Sequence, residues 1–453
     1  MNALERLAGA IAGCEACSEE VREALELHLI DTVGAWIAST RSAEGLALLR
    51  FRAATRASGH ADAALDLATR CALARLSEID DIDLAAMITP GAVVIPAALS
   101  LAATTPAVAA DDVAAAIVAG IEVMIRLGRA LDGPAILYRG IWPTYLAAPF
   151  GVAAAAARLL RLDPQASADA LALALTLAAP GVGHHNAATT ARWFALGRAA
   201  SNGLSAARAA HQGFTADRGL LEGQFFPAIY GVTPRTAALA ESLDRLDAIT
   251  EVSFKPWCAA RQTMAATQAL NEIIEAGIAP AAMEEIRVAV LPPHLRMIDH
   301  GIVPGDRASH LTSVQYRMTV AALAPELAFE IGQAPAALPP ALRAFMAKIK
   351  VEADETLLAD YPRVWPACVR VTAGAAQHER MVTHVPGDPA RPFDRARVRE
   401  KFLRFVQPVL GGKAAGERML ARCEEALATG QFAPLVGDIE QACGDALART
   451  AAR

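Results

Sequence analysis

Aromatic residues are scarce in this chain: Phe, Trp and Tyr make up 5% of its 453 residues. That scarcity argues against an all-β core, which draws heavily on aromatic and β-branched side chains. Cysteine is sparse and odd in number, seven scattered positions, which excludes a disulfide framework. Cys14 and Cys17 have CxxC spacing, but neither a second pair nor a nearby histidine completes a zinc set. Surplus positive charge is missing as well. The net charge is −6, so there is no basic footprint for nucleic acid. The uncharged stretch 84–110 is broken by Pro90, Pro96 and Pro106. A spanning helix needs about 20 sustained apolar residues, so no membrane segment is expected. The first residues, Met1 to Arg6, lack the basic-then-apolar order of a signal peptide, and a cytoplasmic location is expected.

Several catalytic signatures are also missing. There is no GxxxxGK[ST], GxSxG or HExxH motif. Gly181-Val-Gly183-His184-His185-Asn186 has two glycines of a dinucleotide loop, but it lacks the third and follows helix-like sequence. The ten histidines do not cluster with carboxylates at ligand spacing, so no metal is expected.

What the chain has in abundance is small apolar residues. The hydrophobic fraction is 54%, much of it alanine, the best helix former and one that lets helices pack closely. A chain of this length exceeds one core, so at least two domains are expected. Periodicity and capping residues predict helices over 18–39, 44–57, 62–77, 92–104, 111–131, 149–160, 164–177 and 199–212. Near Glu284 the period changes to two. Strands are predicted at 285–291 and 348–353, with a hairpin around Gly374 formed by 367–371 and 380–385. Helices at 263–276, 308–326 and 338–347 accompany them, and helical pattern returns from Asp394. The expected fold is therefore mainly α: a large helical domain formed by both chain ends (1–260 and 394–453) and a smaller inserted α+β lid domain (261–393).

Four stretches carry chemistry. Ser77-Glu78-Ile79-Asp80-Asp81-Ile82-Asp83 places four carboxylates in six residues just before apolar sequence. The ordinary reading is a solvated turn, but abutment on apolar sequence favours burying a carboxylate as an acid or base. From His184 to Arg198, short polar residues lead to Arg192 beside Trp193 and Phe194, a setting in which arginine clamps a carboxylate or forms a structural ion pair. Ser253-Phe254-Lys255-Pro256-Trp257-Cys258 holds a lysine among apolar neighbours, with Arg261 following. Pro256 favours an extended backbone at Lys255. Lys255 is either a proton-transfer group or anion hook, or a lysine snorkelling from a domain joint. Finally, His294, Arg296 and His300 follow the first strand and read by default as exposed loop charge. Arg192, Lys255, Arg261 and Arg296 together suit a small di- or tricarboxylate.

These stretches resemble the MmgE/PrpD family of dehydratases, decarboxylases and epimerases over nearly the whole chain. The resemblance is carried by Asp31-Thr-Val-Gly, by Glu78-Ile-Asp-Asp-Ile-Asp with Thr89-Pro-Gly-Ala-Val-Val-Ile-Pro, and by Gly140-Ile-Trp-Pro-Thr. It continues through Asn186-Ala-Ala-Thr with Arg192 and Gly197-Arg-Ala-Ala, His211-Gln-Gly-Phe-Thr with Leu221-Glu-Gly, Ser253-Phe-Lys-Pro-Trp-Cys and Ser313-Val-Gln-Tyr316. It implies a homodimer, a small organic acid as substrate, a pocket between helical body and lid, and no metal or organic cofactor. Chemistry in the family is proton removal next to a carboxylate, followed by loss of water, loss of CO₂ or reprotonation. Carried onto this chain, the catalytic candidates are Lys255, Glu78, Asp80, His184 and His185. The substrate-binding candidates are Arg192, Arg261, Thr89, Trp142, Arg296 and Tyr316. The departures matter: Glu78 stands where the family has Asp, Ile82 where it has Thr, Thr89 and Trp142 where it has histidines. Arg192 replaces a lysine and Ala195 a histidine. Arginine binds carboxylates but stays charged, so the roles of acid and base fall to fewer groups. The expectation is a lyase or isomerase; the alternatives are epimerisation without elimination and a non-catalytic carboxylate-binding homologue.

Overall fold

A computed structural model describes residues 1–14, 17–60, 62–106, 108–179 and 189–451. The chain is mainly α-helical, with one four-stranded sheet among the described residues. It divides into two compact units. The first takes its described residues from 1–183, 190–253 and 394–453; the second comprises 254–393 with Thr189. None of the described helices is long and apolar enough to cross a membrane.

The first unit is built from helices whose starts follow from short polar residues. Ser18 accepts a hydrogen bond from the Val21 amide (3.2 Å) and opens Glu19–Ala38. Asp163 accepts from Ala166 N (2.8 Å) and opens Pro164–Thr176. Such caps satisfy amides that have no partner inside the helix. Asp111 and Asp112 act differently from the cap expected of them. Helix Ala110–Ala130 already includes both in its first turn, where negative charge complements the helix dipole. Two other helices begin earlier than the small-residue runs suggest. Pro143–Leu159 starts on a proline at its first position and accommodates Pro149 inside. Ala191–His211 takes in Arg192, Trp193 and Phe194.

Close approach of axes is the reason for so many small side chains. A Cβ on Gly197 would lie 2.3 Å from the Ala68 carbonyl oxygen, and one on Gly203 2.3 Å from that of Pro149. Helix Ala191–His211 therefore rests its backbone directly on its neighbours. Alanine and glycine along it set the interaxial distance, and larger residues would hold the helices apart.

In the second unit the strands are β1 (Glu285–Val290), β2 (Ile349–Ala353), β3 (Ala367–Ala373) and β4 (Ala376–Val382), in spatial order β2-β1-β3-β4. β2 runs parallel to β1, and the other neighbours are antiparallel. Ile286, Val288 and Val290 are buried on β1, and Val369 and Val371 on β3. This is the period-two pattern of a sheet with one covered face. Gly374, at φ +60°, turns β3 into β4 with Ala373 opposite Ala376. β4 thus starts four residues before the predicted Arg380. The helix expected over 308–326 is two, Arg307–Thr312 and Val314–Leu323, because Ser313 breaks the run and caps the second through Tyr316 N (3.3 Å). The segment after β1 is a helix, Pro292–Ile298, rather than a loop.

Replacing Gly197 by alanine forces its helix away from Ala68. A loss of roughly 1–3 kcal/mol is expected, measured by urea unfolding. An unchanged midpoint would show that the approach is looser than described.

Candidate active site

All four carboxylates of the 78–83 run are buried: Glu78, Asp80, Asp81 and Asp83 are 7%, 0%, 1% and 1% exposed. A solvated turn is therefore excluded. Burying an ionised carboxylate is costly unless it is paired, and each has partners. Arg75, in the last turn of helix Ala63–Leu76, places Nη1 3.0 Å from Glu78 Oε1 and 3.3 Å from Asp80 Oδ1. Burial works against the charged Arg75, but Asp80 and Glu78 outweigh it and raise its pKa further. Asp81 faces the other way. Its Oδ1 accepts from Gly91 N at 2.9 Å, and its Oδ2 lies 2.9 Å from His28 Nδ1. Asp83 pairs with Arg129 Nη2 (2.8 Å) and accepts from Ala86 N (2.6 Å).

The loop backbone is braced too. Lys401 Nζ donates to the Ile79 carbonyl at 2.7 Å and lies 2.5 Å from Asp31 Oδ1. Burial raises the Asp31 pKa, with Lys401 opposing. Ile82 and Ser253 exchange backbone hydrogen bonds of 2.9 and 2.8 Å. Within this frame Glu78 is held at φ +60°, a left-handed conformation that a non-glycine residue adopts at a cost of order 1–3 kcal/mol.

Arginine and aromatic side chains gather beside Glu78 and Asp80. The Arg192 guanidinium lies 4.3 Å from the Trp193 ring centroid and 5.7 Å from that of Trp142. Arg75 lies 5.5 Å from the Trp193 ring, and Trp142 meets Tyr145 edge-on at 5.5 Å. Tyr145 sits within the fields of Arg75, Arg192, Glu78 and Asp80. Burial pushes its phenol up to about 12, against the pull of the two arginines. Its hydroxyl has no hydrogen-bond partner among the described residues. Thr89 adjoins through Thr144, whose Oγ1 accepts from Thr89 N at 3.2 Å. The first unit thus brings Glu78, Asp80, Arg192 and Trp142 together, with Thr89 alongside. Arg75 and Tyr145 belong to the same cluster and are not distinguished by sequence pattern. Their signals are spacing: Arg75 lies three residues before Glu78, and Tyr145 three residues after Trp142, at the start of one helix.

The remaining candidates lie in the second unit or outside the described residues. Lys255 is buried at 2% exposure on a segment without regular secondary structure. Its neighbour Phe254 donates its amide to the Gly387 carbonyl (2.9 Å) and stacks on Phe393 at 6.0 Å. Gly387, at φ +102°, would press a Cβ to 2.5 Å from the Phe254 oxygen, so only glycine permits this approach. Arg261 is engaged by Asp388, with Nη2 2.8 and 2.6 Å from its two carboxylate oxygens. Asp388 also accepts from Val385 N (2.8 Å). This buried pair ties the segment together. Arg296 is exposed. Tyr316 is fully buried, its ring edge-on to His310 at 4.9 Å and its hydroxyl without a partner among the described residues. His184 and His185 lie outside the described residues. Cys14 and Cys17 are partly exposed thiols whose pKa burial raises, which disfavours the thiolate that metal or redox chemistry uses. No metal-holding group of side chains occurs among the described residues.

Residues 5–230 match the MmgE/PrpD N-terminal domain, and residues 257–426 match the MmgE/PrpD C-terminal domain. The chain belongs to the MmgE/PrpD family. Members of this family are dehydratases or related enzymes. No curated protein matches the chain. The MmgE/PrpD N-terminal match spans the whole acid loop and the arginine–aromatic cluster beside it; the C-terminal match holds Arg261, His294 and Tyr316.

His294, expected as exposed loop charge, is 2% exposed and packs edge-on to Trp365 at 4.7 Å. Burial first, and Arg261 second, lower its pKa to about 3. The unfolded chain, near pKa 6.5, therefore binds this proton more readily than the native state. Stability from this group is present above pH 6.5 and falls as pH drops towards 3. Between pH 6.5 and 5 the loss is about 2 kcal/mol. His294→Phe keeps the ring contacts and is expected to remove about that much of the acid destabilisation, measured by urea unfolding at both pH values. An identical pH slope in the variant would contradict the assignment.

Proposed function

We propose that this MmgE/PrpD chain is a lyase or isomerase that removes a proton next to a carboxylate or carbonyl of a small organic acid, with no metal or organic cofactor taking part. The observation that carries the reading is the Arg75–Glu78–Asp80–Arg192–Tyr145 cluster, a buried array of opposite charges acting on a phenol that has no hydrogen-bond partner among the described residues. Proton loss beside a carboxylate puts negative charge on oxygen, and fixed donors in a dry site stabilise it. Arg192, held against Trp193 and Trp142, is assigned to the substrate carboxylate. Tyr145 keeps its proton at neutral pH and is assigned as a donor to the developing enolate-type oxygen. Glu78 and Asp80 are assigned to proton return, and Lys255 to the base or anchoring role that the family resemblance gives it. Expulsion of a β-hydroxyl as water makes the reaction a dehydration, and reprotonation from the opposite face an epimerisation; in a decarboxylation the carbanion is reprotonated elsewhere on the conjugated acid, CO₂ leaves, and its C–C electron pair takes up a returned proton.

A second reading has support from one feature: the described cluster contains no histidine, the ordinary acid or base near pH 7. In that reading the chain binds a carboxylate without turnover. The homodimer and a cytoplasmic location are part of the proposal and are tested by sedimentation and by fractionation.

A thermal-stabilisation screen of small di- and tricarboxylic acids identifies a ligand, which is then incubated with the protein in deuterated buffer. Exchange of a C–H proton beside its carboxylate is expected by NMR; stabilisation with no exchange or turnover would establish the second reading instead. Tyr145→Phe is expected to lower kcat by about 10²–10³. Its stability should change by less than about 1 kcal/mol, because the lost hydroxyl has no partner among the described residues. Arg192→Met is expected to weaken ligand binding, and Lys255→Ala to abolish exchange. Full turnover in Lys255→Ala would remove that residue from the mechanism.

A further inference from the structure

Arg317 is an arginine buried in the second unit with Nε and Nη2 unused among the described residues. It lies on helix Val314–Leu323 at 3% exposure. Nε and Nη2 have no hydrogen-bond partner among the described residues. Those two nitrogens form one edge of the guanidinium, and their N–H bonds point the same way. That edge matches the two oxygens of a carboxylate or a phosphate.

The surroundings sharpen the point. Arg307 is also buried, at 4% exposure, and donates Nε to the Ile331 carbonyl. Burial lowers the Arg317 pKa and Arg307 lowers it further, while Cys258 and Tyr316 act in the opposite sense. The Tyr316 ring lies 5.9 Å from the Arg317 guanidinium, and its hydroxyl is a second unused polar atom. Arginine does not shed its proton in proteins. A buried guanidinium with that edge unused and a second guanidinium nearby carries an electrostatic cost that a bound anion would offset.

We propose that the Nε–Nη2 edge of Arg317 is a binding site for one small oxyanion, taken through two of its oxygens, inside the second unit. The proposal does not depend on the function assigned to the Arg192 cluster of the first unit. Its occupant is an anion of the carboxylate or phosphate type.

The test is calorimetric and thermal titration of the full chain with acetate and, separately, with inorganic phosphate, in a buffer free of both. Wild type, Arg317→Met and Arg317→Lys are compared, each also in an Arg192→Met background to silence the first-unit cluster. One of the two probes is expected to bind and raise Tm in wild type and in Arg192→Met; which one does so identifies the occupant. Arg317→Met should weaken that binding at least about tenfold, and Arg317→Lys should fall between them, keeping charge but losing the edge. Without added anion, Arg317→Met should melt no lower than wild type. Equal binding in Arg317→Met overturns the proposal, as does a wild type that binds neither probe. Should Arg317→Met fail to fold, the Arg317 Nε–H resonance of wild type is followed by ¹⁵N NMR. Its shift on titration supports the site, and its constancy refutes it.

Discussion

The constraint on which the first unit depends is the burial of four carboxylates within six residues. Glu78, Asp80, Asp81 and Asp83 are all buried, so the chain itself must supply most of their counter-charges and donors. It does so from five separate segments: His28, Arg75, the Gly91 amide, Arg129 and, through the loop backbone, Lys401. Removing one partner from a buried pair leaves an uncompensated charge, which is far costlier than the pair's net worth. The participation of Lys401 gives a physical reason why residues after Asp394 rejoin the helices formed by the chain's beginning. A carbonyl in the acid loop and Asp31 both need its ammonium.

The four carboxylates divide by what they touch. Asp81 and Asp83 face backbone amides and His28 or Arg129; they hold the loop in place. Glu78 and Asp80 share one guanidinium nitrogen and sit in the same field as Arg192 and Tyr145. Glu78 does so at positive φ. A strained backbone held by its surroundings is common where groups must be aimed. The division separates residues that fix geometry from those assigned to chemistry, and it comes from direction rather than residue type.

Much of the architecture is legible in the sequence because helix caps, alanine runs and the switch to period two are local. Ser18, Asp163 and the alternation of Ile286, Val288 and Val290 each declare their element without tertiary help. The acid run is legible as a place but not as an environment. Its partners His28, Arg129 and Lys401 are tens to hundreds of residues away, and no spacing rule announces them. Tyr145 and Arg75 carry no motif of their own; burial and the charged groups around them single them out. His294 follows a strand end, where exposed charge is the default expectation; here Pro292 and Pro293 open a helix instead. Arg317 carries no local signal; only burial of its side chain shows an unused edge.

The most direct test of the central claim is a double-mutant cycle on Lys401 and Asp31 by urea unfolding. Lys401→Met alone should cost roughly 3–5 kcal/mol, because it strands a buried carboxylate and the Ile79 carbonyl. Adding Asp31→Leu should recover more than half of that loss. A single-variant loss below about 1 kcal/mol, or no recovery in the double variant, would contradict the view that buried counter-charges organise this unit.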